Sequence, residues 1–169
     1  MEEARHLPNL TKATVLAGGV FIIDSFVINT GALGLIAILM APWLIFRTIK
    51  ARGDAALYKR HLTVTCMYVA SGMAVLVSIY LNNSIAVKRA GTIIDALTQY
   101  RAELGEYPAD VYDLVPDFIE KIPRAKYSYA NQRFTYEVEE GRHVLSFGVL
   151  PPSGRSYYVM EDGKWGFKN

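Results

Sequence analysis

The stretch that decides the fold covers residues 62–108 and reads LTVTCMYVASGMAVLVSIYL followed by NNSIAVKRAGTIIDALTQYRAELGEYP. Residues 62–81 carry no charged side chain. They are numerous enough to cross a bilayer, since a spanning helix needs about 20 mainly apolar residues. No proline occurs between Thr48 and Tyr107, so the helix is not interrupted where the polar sequence begins. We therefore predict one helix whose first part is buried in lipid and whose second part lies in water.

The second part of this helix carries an apolar stripe. Its members recur at steps of three and four residues: Ala86, Ala90, Ile93, Leu97, Tyr100 and Leu104. Gly105 suits the left-handed conformation that ends a helix, and Pro108 prevents the helix from resuming. Because such a stripe is unfavourable in water, we expect the residues that follow to cover it.

The residues after Pro108 predict short helical turns and then an antiparallel sheet. Residues 109–122 are bounded by two prolines and read as one or two helical turns. The apolar period then changes to two, first at Phe134, Tyr136 and Val138, then at Val144 and Phe147, then at Tyr157 and Val159. The turns between the strands are Glu140-Gly141, residues 151–154 and Asp162-Gly163. The predicted fold class is α+β, with three or four antiparallel strands packed on the long helix.

A second apolar stretch precedes the first, and Asp24 is its one charged residue over residues 13–46. As a single straight helix these residues would extend about 51 Å, well beyond the roughly 30 Å hydrocarbon core. The polar segment Asn29-Thr30-Gly31 divides them, which favours two helices at about residues 10–28 and 32–49. This gives three membrane helices in total. The alternative is two, with one tilted span preceded by an interfacial helix.

The charges flanking the apolar stretches predict the orientation. Five basic residues stand between them, Arg47, Lys50, Arg52, Lys59 and Arg60, against the single acid Asp54. By the positive-inside rule this loop is cytoplasmic. We expect an anchoring region at residues 1–61 with its cytoplasmic loop at 47–61, a last span at 62–83, and an exported domain at 84–169. In a bacterium the membrane is the inner membrane and the domain is periplasmic.

The exported part has a water-soluble composition with little net charge. It contains eleven Lys and Arg and twelve Asp and Glu, and the whole chain carries a formal charge of +2. No basic groove for nucleic acid is predicted. The single Cys66 forms no intrachain disulfide, and the three histidines fall in three different regions. We predict no catalytic residues, no cofactor and no metal site.

Two sets of residues remain as candidate sites. Asp24 is a possible intramembrane polar site, since acids at this depth often belong to proton relays or to contacts between helices. The exported domain is rich in tyrosine, and exposed aromatic residues dominate many interfaces. The possible partner-binding surface contains Tyr127, Tyr129, Tyr157 and Tyr158. By strand alternation one of the last two faces outward, while Tyr136 and Trp165 are expected inside.

The order of these features resembles the C-terminal part of type II secretion pseudopilins and type IV pilins. In that family a membrane helix continues into a soluble helix, then a GxYP loop, an LVP segment and an antiparallel sheet. The matching residues here are Tyr100, Gly105, Tyr107, Pro108, Leu114, Val115, Pro116 and Pro123. No basic leader with a peptidase site precedes Leu62, and the aspartate-rich calcium loop is missing. The resemblance therefore implies the fold, without cleavage, fibre formation or calcium binding.

The leading functional hypothesis is a non-enzymatic inner-membrane protein whose exported domain recognises another protein, as part of an envelope or secretion assembly. One alternative is a membrane-bound immunity protein that neutralises a toxin. Another is a small transporter or proton-coupled subunit that uses Asp24. The expected partners are the lipid bilayer and a protein.

Overall fold

The computed structural model describes residues 8–129, 132–149 and 154–168. The chain divides into two compact units, the first ending at Ile79 and the second beginning at Tyr80. The boundary falls inside one helix, four residues before the predicted start of the exported domain at Ser84.

The first unit is built from apolar helices. Helix α1 covers Leu10–Ile22 and continues as a π-helical turn over Ile23–Ile28. Helix α2 covers Ala32–Leu39, α3 covers Ala41–Lys50, and a 3-10 turn follows at Ala51–Gly53. Three helical segments of the described chain are long and apolar enough to span a membrane: Leu10–Ile28, Ala32–Gly53 and Ala55–Leu104. The predicted break between the first two is confirmed, with left-handed backbone at Asn29 (φ 50°) and Gly31 (φ 79°).

Small residues bring the helices of this unit close together. A Cβ added at Gly72 would lie 2.8 Å from the Ile38 side chain and 3.0 Å from the backbone oxygen of Gly34. The backbones of α2 and the following long helix therefore approach closely here. Nearby, the Ser71 hydroxyl donates a 2.6 Å hydrogen bond to the carbonyl of Ala17 on α1.

Helix α4 is continuous over Ala55–Leu104, which is 50 residues. It ends as predicted, because Gly105 follows in the left-handed conformation with φ 87°. The stripe of its second part is buried at Ala86, Ala90, Ile93 and Leu97, none of which is accessible to solvent. Leu104 differs, being 59% exposed at the last helical position. The covering core therefore does not extend to the helix terminus.

The second unit contains a four-stranded antiparallel meander. Its strands are β1 (Thr135–Glu139), β2 (Arg142–Val149), β3 (Gly154–Val159) and β4 (Lys164–Lys168), in that spatial order. The α+β class and the antiparallel sheet are confirmed. Glu140 and Gly141 join β1 to β2 with positive φ at both residues, 51° and 78°, as a two-residue hairpin requires. Residues 151–153 of the next predicted turn lie outside the described residues.

One face of the sheet forms the core with α4. Leu145, Phe147 and Met160 are buried against Ile93 and Leu97 in one apolar cluster. Tyr136 packs against this cluster as predicted. Trp165 lies on the same face and contacts the rings of Phe147 and Tyr158, yet it is 43% exposed because β4 is an edge strand.

A short 3-10 helix at Val111–Leu114 completes the core, with Leu114 fully buried. Its N-terminal end is held by two acids. The Asp110 side chain accepts the Tyr112 N–H at 2.9 Å, and Asp113 accepts the Asp110 N–H at 3.0 Å. Pro116 follows this turn, in the short helical segment that the sequence predicted.

Candidate functional site

The face of the sheet that points away from α4 is partly apolar. Strand alternation turns Val144, Ser146 and Val159 to this face, and all three are buried by their neighbours. The surface forms a shallow depression of about 530 Å³. We call this surface the outer sheet face. A sheet face fully adapted to water would carry polar side chains at the central positions.

Tyr157 and Arg155 shape the middle of the outer sheet face. The ring of Tyr157 covers Gly166 on β4 so closely that a Cβ at this glycine would overlap it. Arg155 donates hydrogen bonds to Ser146 Oγ at 3.2 Å from Nε and 2.9 Å from Nη2, and also to the Thr135 hydroxyl. These contacts hold both long side chains in place. A surface with fixed side chains loses little conformational entropy when it binds.

Charge is separated across the outer sheet face. Glu137 and Glu139 line the depression from β1, Arg142 and Arg155 line it from the two central strands, and Lys168 lines it from β4. Lys164 has the same parity as Lys168 on that edge strand. The β1 edge therefore carries acids and the β4 edge carries lysines, with the two arginines and a partly apolar centre between them.

The four tyrosines of the predicted binding surface lie in different places. Tyr157 belongs to the outer sheet face, whereas Tyr158 faces the other way and packs on the core. Parity thus placed one of the two outward as expected. Tyr127 and Tyr129 lie on a separate loop and are 67% and 77% exposed. The structure brings only Tyr157 to the depression.

The loop of residues 124–129 is attached to α4. The N–H of Tyr127 donates to Asn82 Oδ1 at 3.1 Å. Arg89 donates to the carbonyl of Arg124 at 2.9 Å, and its guanidinium lies 4.3 Å from the centre of the Tyr127 ring. Two contacts from α4 thus fix the backbone of this loop, and its two tyrosines point outward.

Lys126 lies between the exposed tyrosines and is only 1% exposed. Within the described part of the chain its Nζ has no hydrogen-bond partner. Burial lowers the pKa of Lys126 to about 8, because a charged ammonium is poorly solvated inside a protein.

The Asp24 carboxyl group caps helix α2. Its Oδ1 accepts the N–H groups of Thr30 at 3.0 Å and Gly31 at 2.8 Å, and its Oδ2 accepts those of Leu33 at 2.8 Å and Gly34 at 3.1 Å. The residue is fully buried. Both oxygens are therefore engaged by backbone donors that a helix start otherwise leaves without partners. In this structure Asp24 joins α1 to α2.

His143 and Glu161 form the closest pairing of a histidine with an acid in the described residues. Their side chains meet at 2.7 Å between Nδ1 and Oε1, and the same carboxylate accepts the His143 N–H at 3.0 Å. Burial favours the neutral acid, but these hydrogen bonds outweigh it and hold the pKa of Glu161 below its usual value. Glu161 thus accepts the backbone N–H of His143 near the start of β2 and links it to the residues that follow β3.

The chain matches no family model, no curated protein and no solved structure. The resemblance to pseudopilins accordingly stays a prediction based on the residues named above. Among the described residues no group of three His, Cys, Asp or Glu side chains is placed to hold a metal ion.

Sequence reasoning missed the attachment of the 124–129 loop to α4 and the fixed position of Arg155. Both depend on contacts between residues far apart in the chain, such as Asn82 with Tyr127. The one local signal was the spacing of the two tyrosines in YSY, whose exposed side chains flank the buried Ser128.

Proposed function

We propose that this chain is a non-enzymatic integral protein of the bacterial inner membrane whose exported C-terminal domain binds another protein. Its three long apolar helices support insertion in a bilayer. The basic residues of the loop between the last two support a cytoplasmic position for that loop. With three spans, the second unit then lies on the opposite side of the membrane.

The outer sheet face is the observation that carries the binding proposal. It combines an apolar centre at Val144 and Val159 with a rigid aromatic side chain, Tyr157, and charged borders. This resembles the general composition of protein interfaces, in which an apolar centre is surrounded by a polar rim. The partner that fits presents an apolar side chain flanked by basic groups towards β1 and by acidic groups towards β4.

The pseudopilin-like architecture is consistent with this proposal. A long helix continues from an apolar segment into a water-soluble part and packs there on an antiparallel meander. The family resemblance would place the partner in an envelope or secretion assembly. Since one fold serves many functions, this assignment rests on analogy, whereas the binding surface rests on its own residues.

Photo-crosslinking in living cells tests the binding proposal directly. A photoreactive amino acid is introduced at Glu139, on the border of the outer sheet face, and separately at Glu103 on α4, which is exposed and lies far from this face in the chain. We expect a discrete crosslinked product from position 139 and none from position 103.

A second change separates specific binding from chance proximity. Lys168→Glu reverses the charge at the β4 border. We expect it to abolish the crosslinked product from position 139, because it removes charge complementarity with the partner. Arg133→Glu, on an exposed residue outside the depression, serves as the charge-reversal control and should leave the product unchanged. Equal products from positions 139 and 103, or insensitivity to Lys168→Glu, would refute binding at this face.

A further inference from the structure

The segment that carries Tyr127 and Tyr129 lies next to the point where α4 becomes polar. Asn82 is the first residue after the apolar stretch of residues 62–81, and its side chain holds the N–H of Tyr127 at 3.1 Å. Since a helix rises about 1.5 Å per residue, Asn82 lies about 1.5 Å beyond the end of the apolar stretch. The headgroup layer on each side of a bilayer is about 5–8 Å thick. In the inserted protein the backbone of Tyr127 therefore falls within that layer.

The exposed side chains of this region suit a lipid surface. Tyrosine is enriched at membrane interfaces, where its ring contacts acyl chains and its hydroxyl contacts water and headgroups. Tyr80, at the end of the apolar stretch, is 71% exposed, and Tyr127 and Tyr129 are exposed to a similar degree. Tyr80 and Tyr127 thus lie near the same level of the helix, and Tyr129 follows Tyr127 two residues along the loop.

The charge of the region has one sign. Residues 80–94 and 121–129 contain no acid, and their basic residues are Lys88, Arg89, Lys121, Arg124 and Lys126. The side chain of Arg89 reaches back towards the apolar stretch, as helical side chains do, and lies over Tyr127. Within the described residues it uses one guanidinium N–H for the carbonyl of Arg124, and the other donors of the same group can reach a phosphate oxygen.

We propose that the loop of residues 124–129, together with Arg89, binds the phospholipid headgroups of the bilayer that α4 crosses. Tyr127 and Tyr129 enter the interface, and Arg89 and Arg124 contact lipid phosphates. The loop fixes the second unit against the membrane surface and leaves the outer sheet face for a protein partner. This inference rests on membrane insertion, which is part of the proposed function, but it does not depend on the partner or on the side of the membrane.

Fluorescence quenching in vesicles tests the headgroup contact. The full chain with Cys66→Ser and Tyr129→Cys is labelled with an environment-sensitive fluorophore and reconstituted in phosphatidylcholine and phosphatidylglycerol. The vesicles contain lipids with a nitroxide either on the headgroup or deep in the acyl chain. We expect loss of fluorescence with the headgroup nitroxide, and little loss with the deep one.

Two reference positions make the outcome decisive. A label at Val77→Cys, within the apolar stretch, should be quenched by the deep nitroxide and so reports insertion. A label at Glu103→Cys stands about 33 Å further along α4 than Leu81 and should be quenched by neither. If position 129 behaves like position 103 while position 77 is quenched, the headgroup contact is refuted although insertion holds. If position 77 is not quenched, the membrane proposal itself fails.

Two variants of Arg124 test whether its charge contributes to the headgroup contact. With the label at position 129, Arg124→Glu should reduce quenching by the headgroup nitroxide, because a carboxylate is repelled by lipid phosphates, and Arg124→Lys should preserve it. Arg89 donates to the backbone carbonyl of Arg124, so both side-chain variants keep this contact. Equal quenching in both variants would refute the contribution of Arg124.

Discussion

Asp24 illustrates at the level of one residue how an acid is accommodated in an apolar segment. The chain reverses over Asn29 and Gly31, and the first N–H groups of α2 have no carbonyl partners within the helix. The Asp24 carboxyl group supplies four acceptor contacts at this point. A residue that the sequence marks as a possible polar site is thus explained by the geometry of the hairpin.

Replacing Asp24 should therefore destabilise the first unit. Asp24→Asn keeps one acceptor oxygen but turns an amide donor towards two backbone N–H groups, and we expect a loss of about 2–3 kcal/mol in the free energy of unfolding. Denaturant unfolding of the full chain in mixed micelles measures this loss of stability. Glu103→Gln, an exposed change, is the control. A stability unchanged by Asp24→Asn would show that the capping contacts are dispensable.

Lys126 shows the opposite situation, a buried charge to which the described residues offer no hydrogen-bond partner. Its pKa is about 8 in the folded protein and 10.5 in the unfolded chain. Between these values the unfolded chain binds more protons, so the free energy of unfolding should rise with pH and level off above 10.5. Below pH 8 the folded protein carries the full cost of the buried ammonium, about 3 kcal/mol.

Lys126→Met should consequently stabilise the second unit at pH 7 by up to about 3 kcal/mol and remove this pH dependence. The measurement is the denaturant unfolding of the full chain in detergent, followed by the fluorescence of Trp165 in a Trp43→Phe background, at several pH values. The comparison is the difference between variant and parent, which cancels the titration of tyrosines. A constant difference from pH 7 to 10.5 would contradict the effect of burial.

At the scale of elements, the crossing of α2 and α4 depends on two glycines. Gly72→Ala would place its Cβ 2.8 Å from Ile38, whereas Gly18→Ala on α1 meets no atom within 4 Å. Both changes raise helix propensity equally, so their difference isolates the packing. We expect Gly72→Ala to be less stable than Gly18→Ala by about 1–3 kcal/mol in mixed micelles. Equal stability of the two variants would mean that the crossing adjusts without strain.

Elements with a regular period were predictable from the sequence. The stripe at Ala86, Ala90, Ile93 and Leu97 is buried, and Gly105 ends α4, because both depend on local spacing and backbone conformation. Glycines that face each other across helices were not predictable. No pattern within either helix indicates that Gly34 meets Gly72, since the contact arises from how the two helices pack.

The same distinction between local patterns and long-range contacts applies to the candidate surfaces. Strand parity was sufficient to separate Tyr157 from Tyr158. It did not reveal the depression beside Tyr157, which depends on the register of four strands. The position of Tyr127 beside Asn82 depends on how a loop returns to the helix some forty residues earlier, and such contacts leave no periodic signal.

For the whole molecule, the central claim is that the chain spans the membrane and exports its second unit. The two units divide at Ile79 and Tyr80 within α4, so this helix belongs to both. The apolar surface of the first unit suits lipid, with Val15, Leu39 and Phe46 all exposed, and the core of the second unit is enclosed by its own helix and sheet. Each unit is therefore suited to a different solvent.

A topology map measures this claim most directly. Alkaline phosphatase, which is active only outside the cytoplasm, is fused after Thr11, at Gly53 and after Asn169 in otherwise identical full-length or truncated chains. The account predicts activity after Asn169 and none at Thr11 or Gly53. An inactive fusion after Asn169 that is expressed normally, or an active one at Gly53, would contradict the three-span topology and the export of the second unit.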